Sequence, residues 1–188
     1  MPLPLHVFEP RYRQLVADAL EGDRLIGMTL LCPGWEADYG GRPTVYPLGC
    51  AGRIEQCETL EDGRFNIVLK GLFRFRIVRE EEGKPYRTAL IEPVPDSLGD
   101  EMALEGARHR VMEAIGQGTG GPSVVVIQPE LPHDVFANAL CQSLDLAPVE
   151  RQWLLECHTI LERYLRLASI LEFRALEQAH GRRGAPSA

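Results

Sequence analysis

The residue types that could act as nucleophiles or metal ligands are scattered along this chain of 188 residues. Cys50 and Cys57 are seven positions apart on a predicted strand, and that odd offset would place their thiols on opposite faces. Cys157 and His158 are adjacent, which is not the ligand spacing of a structural zinc site. We therefore predict no catalytic group, no cofactor and no metal site. A cysteine–histidine nucleophilic pair made of residues distant in sequence stays open as an alternative.

Phosphate binding by a glycine-rich loop is excluded by the spacing of glycine and lysine. The only Gly-Lys pair is Gly83–Lys84, which is followed by Pro85 and lacks a second glycine at the distance that a Walker loop requires.

The cysteines are odd in number and are scattered along the chain without the regular spacing of a disulfide framework, which is typical of reduced thiols in a cytoplasmic protein. They are Cys32, Cys50, Cys57, Cys141 and Cys157.

The charge and the distribution of apolar residues disfavour two classes of partner. The chain has 27 acidic and 20 basic residues, a formal net charge of −7, which repels the phosphate backbone of nucleic acids. No apolar run approaches the roughly 20 residues of a membrane span. The N-terminus also lacks the charged segment and apolar core of a secretion signal. We therefore expect neither nucleic acid nor membrane as the main partner.

Three side chains in the first half have the chemistry of peptide contacts. Trp35 lies in a glycine-rich loop, where it could contact an unfolded client or fold back over the strands. Arg74 and Arg76 could bind a carboxylate or phosphate. Because they alternate with apolar residues of a predicted strand, a solvated face of that strand is the favoured interpretation.

Glu9 and Arg11 are two further candidates, since they flank the start of the first predicted helix together with Arg13. They could form part of a binding rim. The favoured interpretation is that they cap and solvate that helix.

The chain changes character near Pro93–Asp96, and strand signals dominate before this point. One helix is predicted to begin at Pro10 and to end before Gly22. Asp62-Gly63 predicts a hairpin turn, and Gly71 a bulge or bend. The predicted extended segments are 2–8, 24–31, 49–59, 64–70, 73–77 and 86–92.

Helical signals dominate after Asp96. Thr159 and Glu162 have the spacing of a capping box, which predicts a helix start at that point. A glycine-rich break is predicted at 116–121 and a disordered tail at 181–188. The predicted helices are 101–115, 132–144, 148–157 and 159–180.

Three stretches of the chain resemble, in order, the N-terminal substrate-binding domain family of Lon protease. The first is Pro2–Arg13, which is similar to the family's entry strand and first helix. The second comprises Gly49–Ile54, Asp62–Asn66 and Gly71–Ile77, similar to the central hairpins. The third is Arg151–Glu156 with Glu162 and Arg163, which looks like part of the helical segment.

The resemblance implies an α+β fold, with a PUA-like β pseudobarrel over residues 1–95 and a helical bundle over residues 96–180. It also implies a recognition module for unfolded protein substrates, of the kind that small bacterial proteins carry alone. Family members usually have one more strand before the Pro2–Phe8 stretch, so either the pseudobarrel lacks its first strand or, as we favour, the true start precedes Met1. The serine–lysine pair of the Lon catalytic domain has no counterpart, because all five serines lie in the helical half and both lysines in the strand half.

We therefore predict a non-catalytic module that binds peptides or unfolded proteins and contributes to protein quality control. An extended client could add to a sheet edge or lie in an apolar groove between the two parts. The alternative is an RNA-binding module, because PUA-like barrels often bind RNA. A small-molecule hydrolase with a hidden cysteine–histidine pair is the third hypothesis.

Overall fold

A computed structural model describes residues 2–117 and 130–183, and the chain divides into two compact units. The first unit spans Met1–Pro95 and contains all the described strands. The second spans Asp96–Ala188 and is helical where it is described. The α+β class predicted from the sequence is confirmed.

The first unit is a five-stranded antiparallel sheet with one α-helix packed on it. Pro10 occupies the first turn of that helix, where a missing N–H costs nothing, and Gly22 follows its last residue, as predicted. The elements are β1 (Pro2–Val7), α1 (Pro10–Glu21), β2 (Leu25–Met28), a 3-10 helix (Trp35–Asp38), β3 (Leu48–Thr59), β4 (Phe65–Glu81) and β5 (Thr88–Val94).

The long strand β4 organises the sheet. One side of β4 pairs with β3, which in turn pairs with β2. The other side pairs with β1 through its first residues, Phe65–Lys70, and with β5 through its last, Arg74–Glu81. Because β1 and β5 share one side of β4, the pairings among the described residues leave the sheet open. The predicted pseudobarrel is therefore not a closed ring of hydrogen-bonded strands.

Two turn and bulge predictions are confirmed by the backbone. Gly63 has a φ of 77°, a left-handed conformation that glycine adopts without strain, and its N–H donates to the Leu60 carbonyl. At Gly71 the register of β3 against β4 shifts, because Ala51 pairs with Phe73 and the next residue, Gly52, pairs with Gly71. One extra residue on β4 is the definition of a bulge.

The predicted solvated face of β4 is wrong for one of its two arginines. Arg76 is exposed, but Arg74 retains only 5% of its accessible surface. Arg74 lies between Cys50 of β3 and Val94 of β5, and its guanidinium donates to the Pro95 carbonyl at 3.2 Å. A strand paired on both sides buries its backbone, and here Pro95, which follows the last residue of β5, supplies an acceptor for the buried guanidinium.

The second unit contains four helices in its described part, and α5 contacts each of the other three. Its core is a single apolar cluster that includes Phe136, Leu154, Tyr164 and Leu167. The buried Tyr164 hydroxyl donates to the His133 carbonyl at 2.9 Å, so its polar end is satisfied. The helices are α2 (Glu101–Gln117), α3 (His133–Ser143), α4 (Pro148–Leu155) and α5 (Ile160–Arg183).

The predicted start of the last helix is confirmed, but the Glu162 carboxylate accepts from the N–H of His158 and not from that of Thr159, as a capping box requires. The Thr159 hydroxyl accepts from the Glu162 N–H at 3.0 Å, while the Glu162 carboxylate reaches back to the N–H of His158. The helix continues to Arg183, three residues into the predicted tail, and 184–188 lie outside the described residues. The predicted break at 116–121 also lies outside them, except that residues 116 and 117 are helical.

In the part of the chain that the structure describes, none of the helices has the length and apolar composition needed to cross a bilayer.

Candidate functional site

Three of the five predicted contact residues meet on the surface of the first unit. Glu9 and Arg11 come from the start of α1, and Trp35 comes from the 3-10 helix. Tyr39, just after that helix, connects them, and Tyr12 lies beside Arg11. We call these five residues the Arg11 cluster.

The Glu9 carboxylate is the polar centre of the Arg11 cluster. One oxygen accepts a hydrogen bond from the Tyr39 hydroxyl at 2.5 Å, and the other accepts from Arg11 Nε at 3.0 Å. Arg11 Nη1 also donates to the Tyr39 carbonyl at 3.4 Å. The carboxylate thus joins the helix to a loop residue that is 30 positions away in sequence.

Aromatic rings surround the Arg11 guanidinium. Its central carbon lies 4.7 Å from the centroid of the Tyr12 ring and 5.0 Å from that of Tyr39, within the range of cation–π attraction. The Trp35 and Tyr39 rings meet edge to face, with centroids 5.3 Å apart. The three rings thus form one series of contacts with Arg11, and hydrogen bonds to the Glu9 carboxylate hold Arg11 and Tyr39 in place.

Local backbone chemistry explains why these side chains converge. Glu9 is the residue before the helix, but its side chain makes no capping hydrogen bond, so its predicted capping role is wrong. Pro10 at the first helical position lacks an N–H that would have no partner within the helix. The carboxylate instead turns to Tyr39. On the loop side, Gly34 has a φ of 88°, which lets the chain turn sharply into the 3-10 helix.

The Arg11 cluster is partly exposed and electrically balanced. The Tyr12 and Tyr39 side chains keep 38% and 42% of their accessible surface, and Trp35 is half-buried. The hydrogen bond to Glu9 raises the pKa of the Tyr39 hydroxyl, which therefore stays protonated as a donor. Because the carboxylate and the guanidinium neutralise each other, the surface offers aromatic area with little net charge. Such a surface suits apolar segments.

Trp35 belongs to a 3-10 helix rather than to an irregular loop. It is the first residue of that helix, and its ring contacts the ring of Tyr39 edge to face. Tyr39 was missed in the sequence, although its spacing of four from Trp35 is a usable signal. Residues four apart are neighbours on the surface of an α-helix, but the glycine-rich surroundings indicated a loop.

Arg74 and Arg76 take no part in the contacts of the Arg11 cluster that the described residues show. Arg74 is committed to the Pro95 carbonyl inside the unit. Arg76 is exposed and lies across from Glu92 in the ladder between β4 and β5. A role of Arg76 in peptide contact stays a prediction.

A second surface feature tests the cysteine–histidine hypothesis directly. A depression of about 610 Å³ over β1, β3 and β4 is lined by both His6 and Cys57. His6, Asn66 and Glu58 form one cross-strand row, whereas Cys57 belongs to the next row with Ile67 and Leu5 and packs against the core. Successive rows point to opposite faces of a sheet, so this histidine does not face this thiol.

The chemistry of both groups agrees with that geometry. The His6 ring lies 2.7 Å from Asn66 Oδ1 through one nitrogen and 3.2 Å from Arg64 Nη1 through the other. Burial raises the pKa of the Cys57 thiol, and it raises that of Cys141 to about 11. A reactive cysteine needs the opposite shift.

The adjacent Cys157 and His158 point apart. The Cys157 side chain is fully buried and donates to the Trp153 carbonyl, while His158 is exposed. Within the described ranges, no group of three histidine, cysteine or acidic side chains has the geometry to hold a metal ion.

Comparison with known proteins gives one consistent family. A family model described as the ATP-dependent protease La (LON) substrate-binding domain matches residues 1–172. The chain is 30% identical over 182 residues to a Lon protease of Trichlorobacter lovleyi, and that alignment covers 91% of this chain but 22% of the protease. It is 29% identical over 132 residues to Lon protease 2 of Sorangium cellulosum, which covers 70% of this chain and 16% of that one. The chain therefore spans only a minor part of the length of these relatives.

Solved structures show the same fold. A crystal structure of a Lon N-terminal domain protein from Xanthomonas campestris superposes with a TM-score of 0.63 at 21% identity, covering 90% of this chain and 89% of that one. The N-terminal domain of a Mycobacterium avium complex Lon protease gives 0.65 at 16% identity, with coverage of 91% and 89%.

Proposed function

The chain belongs to the substrate-binding domain family of Lon protease, and on that premise we propose that it binds exposed apolar segments of peptides and unfolded proteins through the Arg11 cluster. The observation that carries this proposal is the pair of exposed rings, Tyr12 and Tyr39, which lie with the half-buried Trp35 beside the Glu9–Arg11 ion pair. Aromatic residues and arginine are the types enriched where protein interfaces bind most strongly.

The organisation of the Arg11 cluster before any client binds supports the proposal. Tyr39 is held by Glu9, and Arg11 is held by Glu9 and by two rings. Side chains that are already fixed lose little conformational entropy on binding, so more of the contact energy becomes affinity. Phe8, next to Glu9 in the chain, is 60% exposed, and its ring stacks with that of His6.

The test is binding of a permanently unfolded probe, reduced and carboxymethylated α-lactalbumin with a fluorescent label, followed by anisotropy. We expect Trp35→Ala and Tyr39→Ala each to raise the Kd about tenfold, which corresponds to the ~1.4 kcal/mol typical of a strong interface residue. Tyr39→Phe keeps the ring but loses the bond to Glu9, so we expect a smaller effect.

Met102→Ala is the matched control, because Met102 is an apolar side chain of the second unit that is 95% exposed. Its Kd should equal that of the unchanged chain. Equal affinity of all four variants would locate the binding surface elsewhere, and the absence of binding by the unchanged chain would refute the function itself.

RNA binding is the alternative, and the position of Arg11 close to the rings of Tyr12 and Tyr39 favours it, since aromatic rings and arginine can also stack on bases. The Glu9 carboxylate and the net charge of −7 oppose it. A gel shift with single-stranded RNA that weakens with added salt would support RNA over protein as the ligand.

We further propose that the second unit is a helical bundle around α5 and that the chain acts in protein quality control in the cytoplasm. We also propose that it binds proteins without cleaving them. Labelled casein incubated with the purified chain, with and without ATP, should stay intact. Release of peptides by the chain alone would contradict the non-catalytic assignment.

A further inference from the structure

The Arg11 cluster already shows how a cation is bound at this surface. The Arg11 guanidinium lies 4.7 Å and 5.0 Å from the ring centroids of Tyr12 and Tyr39, and the Glu9 carboxylate balances its charge. Aromatic ring faces next to a carboxylate are the chemistry that recognises a guanidinium or ammonium group. Arg11 does not use the rings fully, because Tyr12 and Tyr39 keep 38% and 42% of their accessible surface.

A further carboxylate, that of Glu36, lies on the same side of the 3-10 helix as the exposed Tyr39 ring. Glu36 is the second residue of that helix, and the backbone of Tyr39, which follows it, is still helical with a φ of −57° and a ψ of −35°. Side chains three positions apart stand above one another on a 3-10 helix, so those of Glu36 and Tyr39 are neighbours. Asp38, the last residue of the helix, adds a charge of the same sign.

The positive charges of this region are already engaged with other acids. Arg11 pairs with Glu9, and Arg42, in the same loop as the 3-10 helix, lies 3.9 Å from Glu80. Glu36 is exposed, and among the residues that the structure describes no basic side chain lies within ion-pair distance of its carboxylate. An unbalanced negative charge beside the rings attracts basic clients and repels acidic ones.

We propose that the Arg11 cluster selects apolar segments that carry an arginine or a lysine, and that Glu36 determines this preference. The client class rests on the proposed function, because the same surface does the binding. Apolar side chains of the client pack on the three rings of the cluster, while its basic side chain lies against the Tyr39 ring and pairs with the Glu36 carboxylate. The client thus repeats the arrangement that Arg11 has with its own rings and carboxylate.

The net charge of the chain acts in the same direction but does not account for a preference at one site. A formal charge of −7 attracts any basic segment to the whole surface. At 0.1 M salt, however, exposed charges act over only about 10 Å, so a charge next to the rings outweighs distant ones. The position of Glu36, not the total charge, is therefore the feature to test.

The experiment compares two fluorescent peptides with the same Leu-Phe-Leu centre, one flanked by arginines and the other by glutamates. The Kd of the full chain for each peptide is measured by anisotropy. We expect the arginine peptide to bind about tenfold more tightly, since an attractive contact takes the place of a repulsive one. The readout is the ratio of the two Kd values, because damage to the fold would weaken both peptides alike and leave that ratio in place.

Three substitutions of Glu36 test the residue itself. Glu36→Gln should lower the ratio about threefold, the size expected for one exposed ion pair. Glu36→Lys should lower it further and make the glutamate peptide bind more tightly than it binds the unchanged chain. Such a gain of affinity cannot result from damage to the fold. Glu36→Asp keeps the charge and should therefore keep the preference for the arginine peptide.

Glu177→Gln is the matched control, because it removes one exposed carboxylate of the second unit and changes the net charge by the same amount. Its ratio should equal that of the unchanged chain. Equal Kd values for the two peptides, or a ratio that Glu36→Lys leaves in place, would overturn the charge preference.

The proposed function fails separately from this preference. If the chain binds carboxymethylated α-lactalbumin and Tyr39→Ala weakens that binding, the function stands whatever the ratio. Failure of the arginine peptide to bind such a chain would overturn the preference alone, whereas a chain that binds neither the peptides nor the unfolded protein would refute both.

Discussion

Arg24 lies in the turn between α1 and β2 and has a φ of 62°, which places a residue with a side chain in the left-handed region. Its N–H donates to the Ala19 carbonyl and its own carbonyl accepts from Ile54, both at 2.9 Å. These two bonds hold a backbone conformation that a Cβ makes unfavourable by about 1 kcal/mol. The side chain itself is exposed.

We expect Arg24→Gly to raise the free energy of unfolding by about 0.5 to 1 kcal/mol, because glycine removes that strain at some cost in the entropy of the unfolded chain. Urea denaturation measures the change. Arg24→Ala is the control, since alanine keeps the Cβ and should give no gain. A gain with both substitutions would show that the arginine side chain, not the backbone, is unfavourable.

Asp18 joins α1 to the turn between β4 and β5. Its carboxylate accepts from Lys84 Nζ at 2.8 Å, from the Tyr86 hydroxyl at 2.6 Å and from Gln14 Nε2 at 2.6 Å. These donors, with Lys84 first, lower the pKa of Asp18 from 3.8 to about 2. The ionised form is therefore the one that the folded chain stabilises.

The sign of the pH effect follows from that lowered pKa. The stabilisation by Asp18 is complete above the unfolded value of 3.8 and is lost as the pH falls through about 2. We expect Asp18→Asn to lower the urea midpoint at pH 7, and this deficit should shrink between pH 4 and pH 2. Glu36→Gln, at an exposed acid of the same unit, should show no such trend. A deficit that is constant with pH would contradict the role of ionised Asp18.

At the scale of elements, α5 is tied to its neighbours by one buried arginine. Arg163 is 3% exposed and donates to the Leu154 carbonyl at the end of α4, to Asn138 of α3 and to Asp96 before α2, at 3.1, 2.7 and 3.1 Å. These three acceptors replace the hydrogen bonds to water that a guanidinium loses when it is buried.

We expect Arg163→Ala to lower the free energy of unfolding of the second unit by about 2 to 3 kcal/mol, because it leaves a cavity and a buried carbonyl without its donor. Trp153 fluorescence in urea reports that unit. Asp96→Asn keeps an acceptor at a partly exposed position, so it should cost less than about 1 kcal/mol. A similar loss in both variants would assign the effect to the ion pair alone.

Elements whose signals are local could be predicted from the sequence. The Asp62–Gly63 hairpin, the bulge at Gly71 and the Thr159 cap each depend on the conformational preference of one or two residues, and all three are present. The predicted boundaries of α1 are also correct, because proline and glycine act on the backbone beside them.

Features that depend on distant partners could not be predicted in the same way. The alternation of residues 73–77 indicated an exposed Arg74, but β5 brings an acceptor from 21 positions away and buries it. The Arg11 cluster depends on Tyr39, which is 30 positions from Glu9. The sequence indicated Glu9, Arg11 and Trp35 as candidate peptide contacts, but only the fold shows which side chains lie together.

At the scale of the whole molecule, each unit has its own apolar core. Ile54 belongs to the core of the first unit and is 1% exposed, whereas Leu167 belongs to that of the second and is fully buried. The chain also contains two tryptophans, and they fall one in each unit, Trp35 and Trp153. Single-tryptophan variants, Trp153→Phe and Trp35→Phe, can therefore follow the two units separately.

Separate cores lead us to expect that the two units unfold as separate cooperative transitions. Removing buried methyl groups costs about 2 to 4 kcal/mol, from the lost transfer energy and the cavity left behind. Leu167→Ala should thus shift the urea midpoint reported by Trp153 and leave that of Trp35 in place, and Ile54→Ala should do the reverse. If either substitution moved both midpoints equally, the two cores would form one cooperative unit.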